Sequence, residues 1–298
     1  MHLRAGSLRP YESLLTPVTR IWDSSLDDPP ITLETRAARY RLTRVSSVQP
    51  FSSLASVYDA IFSDIDYGDW CAFTLSQIPG WAGELLAPNQ VRVLDLACGT
   101  GSSTLPYVGC GYDVTGVDSS AEMLTVAQKK LPDTKFVQQT FQTLALERRF
   151  HLVTCVFDSL NNLTDPRELE STFTRVYQHL EPLGWFVFDC NTQIGVRELW
   201  DDDRFEGEVI TADGSVRFLW EHEFLAATQL GQVTAHCWGN GFSFTEVHLE
   251  RGYDAGELSA MLERAGFGNI TCMEYPDAAV PEPDSPRIWV FAQRGAQS

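Results

Sequence analysis

Positive charge is scarce in this chain of 298 residues: 22 Lys and Arg stand against 40 Asp and Glu, a formal net charge of −18. Enzymes of nucleic acids need a basic surface to displace condensed counterions, so RNA and DNA are not expected partners. Long apolar runs are missing too, and the start Met1-His2-Leu3-Arg4 leads into no hydrophobic segment. Neither a membrane span nor a signal peptide is read, and a cytoplasmic protein is expected. Paired cysteine spacing is also absent. Cys71, Cys98, Cys110, Cys155, Cys190, Cys237 and Cys272 are scattered and odd in number, which argues for reduced thiols and against a metal site.

What is present supports a large core. The chain is 44% apolar with 8 Trp, enough for one main domain plus an elaboration. Residues 1–50 mix Pro10, Pro17, Pro29 and Pro30 with polar residues and keep no steady period, so an irregular N-terminal extension is expected. Its Arg36, Arg39, Arg41 and Arg44 read as a solvated face.

The most informative segment is Val91 to Thr104. Val91, Val93, Leu94 and Leu96 suit a strand buried on both faces, and Gly99 and Gly101 let backbone approach a ligand closely. Asp95 discriminates between ligands. An acid at this strand tip would repel a pyrophosphate on the following helix, yet suits a ligand presenting an ammonium and a sulfonium. Thr104 also stands where the dinucleotide fingerprint has its third glycine. The next strand, Tyr112 to Val117, ends at Asp118, where this fold class places an acid on ribose hydroxyls. Ser119 with Glu122 reads as a capping box opening a helix with Met123, Val126, Ala127 and Leu131 on one stripe.

Asp95-Leu96-Ala97-Cys98-Gly99-Thr100-Gly101 and Gly116-Val117-Asp118-Ser119-Ser120-Ala121-Glu122-Met123-Leu124 resemble class I S-adenosylmethionine-dependent methyltransferases. The likeness extends to Phe157-Asp158-Ser159-Leu160-Asn161-Asn162-Leu163, Phe188-Asp189-Cys190-Asn191-Thr192 and Ala265-Gly266-Phe267. Upstream, Tyr58-Asp59-Ala60-Ile61-Phe62 and Asp66-Tyr67-Gly68-Asp69-Trp70 look like the leading helices of a small-molecule branch that carries an antiparallel insert. The resemblance implies S-adenosylmethionine as cofactor, with contacts at Tyr58, Tyr67, Asp95, Ala97, Gly99, Gly101, Asp118, Ser119, Met123, Thr140, Phe141 and Phe157. It also implies methyl transfer to nitrogen or oxygen of a small molecule. Two positions depart from the family pattern: Thr140 replaces an acid after the third strand, and His151 takes a structural position in the fourth. A hydroxyl at Thr140 still accepts a hydrogen bond from an adenine amino group, and His151 is read as a surface or strand-edge residue.

The rest of the chain predicts an α/β fold with a doubly wound, mostly parallel, seven-stranded Rossmann-like sheet and a small antiparallel insert lobe. Residues 51–192 and 253–298 are assigned to the cofactor-binding domain and 193–252 to the insert over the acceptor site. Asp254 and Glu257 read as a second capping box, Gly266 as a C-cap, and the final hairpin, by resemblance, as adding one antiparallel strand. The insert alternates with period two through Phe218, Trp220, His222 and Phe224, and through Phe242, Phe244, Glu246 and His248. His222, His236 and His248 could meet as a metal or base site, but packing is the preferred reading. Tyr58, Tyr67 and Trp70 are read as closing over a sulfonium, and Asp158 and Asn161 as lining the methyl-transfer centre. Two other classes are weighed, a cofactor-binding protein without transferase activity and a nicotinamide-dependent oxidoreductase.

Overall fold

A computed structural model describes residues 50–199, 204–212, 214–239 and 241–296. The extension expected over residues 1–50 lies, save Pro50, outside the described residues. Helices α1 (Tyr58–Ile61), α2 (Tyr67–Ser76) and α3 (Ala82–Leu85) lead into β1 (Arg92–Leu96), α4 (Thr104–Gly109), β2 (Asp113–Asp118) and α5 (Ala121–Lys130). Then come β3 (Lys135–Gln138), β4 (Phe150–Cys155), α6 (Pro166–His179) and β5 (Leu180–Asn191). After α7 (Gln193–Leu199), four strands follow: β6 (Arg204–Thr211), β7 (Gly214–Leu225), β8 (Leu230–Gly239) and β9 (Phe242–Glu250). Helix α8 (Ala255–Ala265), β10 (Phe267–Met273) and β11 (Arg287–Arg294) complete the order.

Seven strands form one sheet in the order β10-β11-β5-β4-β1-β2-β3, and the insert strands form a second, antiparallel sheet β6-β7-β8-β9. Within the first sheet β11 alone runs against its neighbours, pairing Arg287 with Asn191 and Trp289 with Asp189. Its strands are apolar on both faces because helices cover both. Leu94, Val153, Phe186, Phe188 and Val290 pack beneath Phe173 and Val176 of α6 and Leu258 and Leu262 of α8. Val93, Leu152, Val187 and Phe291 pack on the other side with Trp70 and Phe73 of α2. An isolated helix of this length is marginal in water, so the buried stripe of α6 supplies most of its stability.

Two capping assignments are corrected. Ser120, not Ser119, caps α5: its hydroxyl accepts the Met123 N–H at 3.1 Å and donates to the Phe51 carbonyl at 3.0 Å. The shift arises because Asp118 takes the Ser120 N–H, which extends the turn by one residue before the helix begins. Asp254 does precede α8, but its carboxylate accepts the Gln193 N–H at 3.1 Å, while Glu257 pairs with Arg251 at 2.8 Å, so no capping box forms. Gly266 closes that helix at φ 104°, as expected. The insert sheet turns Val216, Phe218, Trp220, Val233, Ala235 and Cys237 onto Leu54, Val57, Ile61 and Met123, which fastens it to the first helical turns and α5.

Candidate active site

The carboxyl ends of β1 and β2 meet at the glycine turn. Ala97, Gly99 and Gly101 all lie in the left-handed region, at φ 59°, 52° and 78°. A Cβ at Gly99 would meet no atom within 4 Å, so the turn faces open space there. One at Gly101 would lie 3.2 Å from the Ala127 Cβ, where the turn presses against α5. Asp118 is half-buried and spans the junction: Oδ2 accepts the Gly99 N–H at 2.9 Å and Oδ1 the Ser120 N–H at 2.8 Å. Burial pushes its carboxyl above the ordinary range, and the backbone N–H groups oppose that rise. Each oxygen keeps acceptor capacity beyond these bonds.

Asp95 does something different from what its position suggested. It is fully buried, and its carboxylate accepts hydroxyls from Ser103 at 2.7 Å, Thr104 at 2.6 Å and Thr154 at 3.3 Å. Desolvation lifts its carboxyl to about 6 against the pull of those hydroxyls. The side chain ties β1 to the start of α4 and to β4, and so fixes the turn from behind. Thr104, which replaces the third glycine, is thereby a structural partner of Asp95.

A second clamp holds the turn from the front. Asp59 of α1 accepts hydroxyls from Thr100 at 2.5 Å and Ser102 at 3.0 Å, and pairs with Lys130 at 2.8 Å. Asp59 lies inside the Tyr58–Phe62 motif, where no local pattern marks it for this role. Tyr58 and Tyr67 line a cleft of about 720 Å³ beside it, together with Phe62, Ser102 and Lys130. Phe62 contacts Tyr58, Phe157 and Trp220, with ring centroids 4.7, 5.3 and 5.7 Å apart, so a ring of the insert reaches the aromatic wall. Trp70 is not on this surface. It is 6% exposed, packed between Phe157 and Trp289, and belongs to the core.

Beyond the wall lies a charged cluster built from four strands. Phe157 and Asp158 both have positive φ, 62° and 47°, because Asp189 on β5 takes their N–H groups at 2.6 and 3.0 Å. Arg287 at the start of β11 donates to Asp189 through Nε at 2.7 Å and through a second nitrogen, and lies 3.4 Å from Asp158. Asn191 donates to Asp158 at 2.7 Å. The end of β9 brings Glu250 to the same place; burial and Asp158 raise its carboxyl well above the ordinary range, and Arg287 and Asn191 lower it.

Asn161 stands apart from the expectation. It is fully buried, accepts the Asn191 N–H at 3.0 Å and donates to the carbonyls of Asn191 and Arg251 at 2.9 and 2.8 Å. These three bonds are to backbone and its side chain also meets Cys190, so Asn161 sews β5 to the segment after β9 and does not line a reaction centre. Met123 is likewise 2% exposed and packed beneath the insert. Thr140 is exposed, but its hydroxyl is engaged with Thr143 in a short turn that holds the partly buried Phe141. Ser119 is exposed at the rim. His151 sits at the opposite end of β4, where Nδ1 accepts the Arg92 N–H at 3.0 Å.

The three insert histidines do not meet. His222 and His248 both pair with Val233 and share its face, whereas His236, three residues further along β8, points to the other face and contacts Thr245 at 2.8 Å. Among the described residues no group of His, Cys, Asp and Glu is placed to hold a metal ion, and no helix is long and apolar enough to cross a membrane.

Comparison with known proteins places this arrangement. Residues 93–184 match a family model described as a methyltransferase domain. The chain is 29% identical over 254 residues to the putative methyltransferase YqeM of Bacillus subtilis (strain 168), covering 82% of this chain and 97% of that one. It is 30% identical over 184 residues to the dTDP-3-amino-3,4,6-trideoxy-alpha-D-glucopyranose N,N-dimethyltransferase of Streptomyces venezuelae, covering 60% and 76%. Among solved structures, an S-adenosylmethionine-dependent methyltransferase from Clostridium acetobutylicum ATCC 824 superposes with a TM-score of 0.68 at 27% identity, covering 82% of this chain and 98% of that one. The open glycine turn with a carboxylate at its edge fits the nucleoside of such a donor, and the chain belongs to the class I S-adenosylmethionine-dependent methyltransferases, with S-adenosylmethionine as its cofactor.

Proposed function

We propose that this enzyme methylates nitrogen or oxygen of a small molecule bound between the Phe157–Asp158 loop and the insert sheet, and that it works in the cytoplasm. In this reading Asp118 accepts the ribose hydroxyls, since its two oxygens border the open side of the Gly99 turn. Phe141 and the Thr140 turn flank the adenine, while Ala97 and Gly101 shape the cradle. Tyr58, Tyr67 and Phe157 present ring faces and edges toward the methionyl end, where a cation is favoured over an aromatic face. The bound cofactor supplies an electrophilic methyl group on a positively charged sulfur.

The protein's own share is alignment and proton handling. Methyl transfer needs the acceptor lone pair held in line with the leaving group and water kept out. The aromatic wall of Phe62, Tyr67, Phe157 and Trp220 offers an apolar enclosure for that step. A small acceptor agrees with the net charge of −18, which opposes a polyanionic one, and with the amino-sugar activity of the Streptomyces venezuelae relative.

The observation that carries this reading is the bond between the Asp118 carboxylate and the Gly99 N–H at the edge of open space. Calorimetry with S-adenosylhomocysteine tests it. Asp118→Ala removes two charge-assisted acceptors and is expected to weaken binding about 100-fold, whereas equal affinity in both proteins removes the ribose assignment.

A further inference from the structure

The insert's last strand inverts the usual pattern of an edge strand. Its even positions, Glu246, His248 and Glu250, are 3%, 5% and 8% exposed, while Val247 and Leu249 face solvent at 46% and 41%. A buried polar residue calls for an explanation where an exposed apolar one does not. Glu246 is satisfied by backbone, and His248 is held by ring stacking although neither of its nitrogens has a hydrogen-bond partner among the described residues. Glu246 accepts the N–H groups of Phe51, Ser53 and Leu54 at 2.7, 2.6 and 3.1 Å, and His248 stacks on Phe51 at 4.3 Å.

Glu250 is not explained that way. Among the described residues its Oε2 is buried without a hydrogen-bond partner, in a cluster with Asp158 from the loop after β4, Asp189 from β5, Arg287 from β11 and Asn191, whose side chain hydrogen-bonds the Glu250 carboxyl. Arg287 is already committed to Asp189 through two nitrogens and reaches Asp158 at 3.4 Å. Among the described residues three carboxyl groups thus share one guanidinium, and ionising Glu250 there would leave an excess of negative charge that an added cation would balance. Building on the acceptor site proposed above, we infer that Glu250 is the residue that receives a proton from the acceptor, and that the acceptor is an amine arriving as its ammonium ion.

The proton balance follows from the surroundings. Burial and Asp158 favour the protonated form of the empty Glu250 more than that of an ordinary carboxyl, and an incoming ammonium displaces that proton to solvent. One N–H bond of the ammonium then breaks. Its proton moves to Oε2, and the electron pair stays on nitrogen as the nucleophile. Net, one proton leaves for each ammonium bound. A neutral alcohol gives no such exchange, because it cannot compensate an ionised Glu250 beside Asp158.

Calorimetry on the full chain saturated with S-adenosylhomocysteine tests this, with cyclohexylamine and cyclohexanol as probes in two buffers of different ionisation enthalpy. The amine is expected to bind with release of about one proton, and the alcohol about tenfold more weakly with none. Glu250→Gln should abolish the proton release and weaken the amine about tenfold, with S-adenosylhomocysteine affinity unchanged, and Glu250→Asp should restore part of both. No amine binding, binding without proton release, or equal affinity for amine and alcohol overturns the inference. So does a Glu250→Gln protein that keeps the wild-type response. If Glu250→Gln does not fold, the wild-type comparison of amine with alcohol decides alone. Loss of S-adenosylhomocysteine binding by the wild-type protein would instead overturn the cofactor site on which the inference rests.

Discussion

Asp95 on the parallel sheet and Glu250 on the insert are both buried carboxylates near the carboxyl edge of the main sheet, yet their surroundings differ in kind. Asp95 has three hydroxyl donors and no exposed surface, while Glu250 keeps one oxygen without a partner beside two other acids. A buried polar group whose bonds are complete contributes rigidity, and one left open contributes a binding demand. The two regions divide the work accordingly. The parallel sheet builds a rigid cradle from backbone and hydroxyls, and the insert brings an incompletely satisfied acid to the side where the acceptor is proposed to bind.

Changes that break completed networks should cost stability and spare affinity, and Asn161→Ala is the largest of these. It leaves the Asn191 N–H and the carbonyls of Asn191 and Arg251 without their partner in a dry site, an expected loss of about 4 kcal/mol. Urea denaturation reads it. Near-wild-type stability with lost transfer would return Asn161 to the reaction centre and undo the distinction drawn here.

Stability against pH sharpens the comparison further. The Asp95 carboxyl sits at about 6 when folded against 3.8 as an ordinary aspartate, so the folded state holds its proton longer. Stability from this group is therefore full below about 4 and falls by about 3 kcal/mol as pH rises through about 6. His248 has the opposite sign. Burial lowers it from 6.5 to about 4, outweighing Glu246 at 3.5 Å, whose oxygens serve three backbone N–H groups. The unfolded chain then binds the proton first, and stability is lost as pH falls from about 6.5 toward 4, by about 3 kcal/mol. Asp95→Asn and His248→Phe should tilt the stability profile between those limits in opposite directions. Thermal melts across this range that move together would show that one of the two assignments is wrong.

The smallest expected effect is at the α5 cap. Ser120→Ala should cost about 1 kcal/mol, because it removes the Met123 cap and the bond to Phe51, and it should leave S-adenosylhomocysteine affinity unchanged. A Ser119→Ala protein as destabilised as Ser120→Ala would restore the sequence-based cap.

Much of the fold was legible because it rests on local period. The doubly buried strands, the amphipathic helices, the Gly266 cap and the period-two insert each announce themselves within a window of several residues. Local pattern also misled in instructive places. Ser119 and Ser120 are chemically alike, and the choice between them was made by Asp118 capturing one N–H. The alternation in β9 was visible, but not which of its two faces would be buried, since its polar side turned inward. Trp70 and Met123 carry side chains suited to a cofactor pocket, and tertiary packing placed both in the core.

The sequence by itself determined the α/β alternation, the glycine turn, and the acid at the tip of β2, because neighbouring residues impose backbone conformation and strand faces directly. Only the tertiary structure decided that Asp95 would be sealed by hydroxyls and that Asp158, Asp189, Glu250 and Arg287 would meet. Asp158 and Arg287 lie 129 residues apart in the chain, and strand order and register alone bring them within 3.4 Å. Charge balance in that cluster is a property of assembled strands, since no single segment contains more than a part of it.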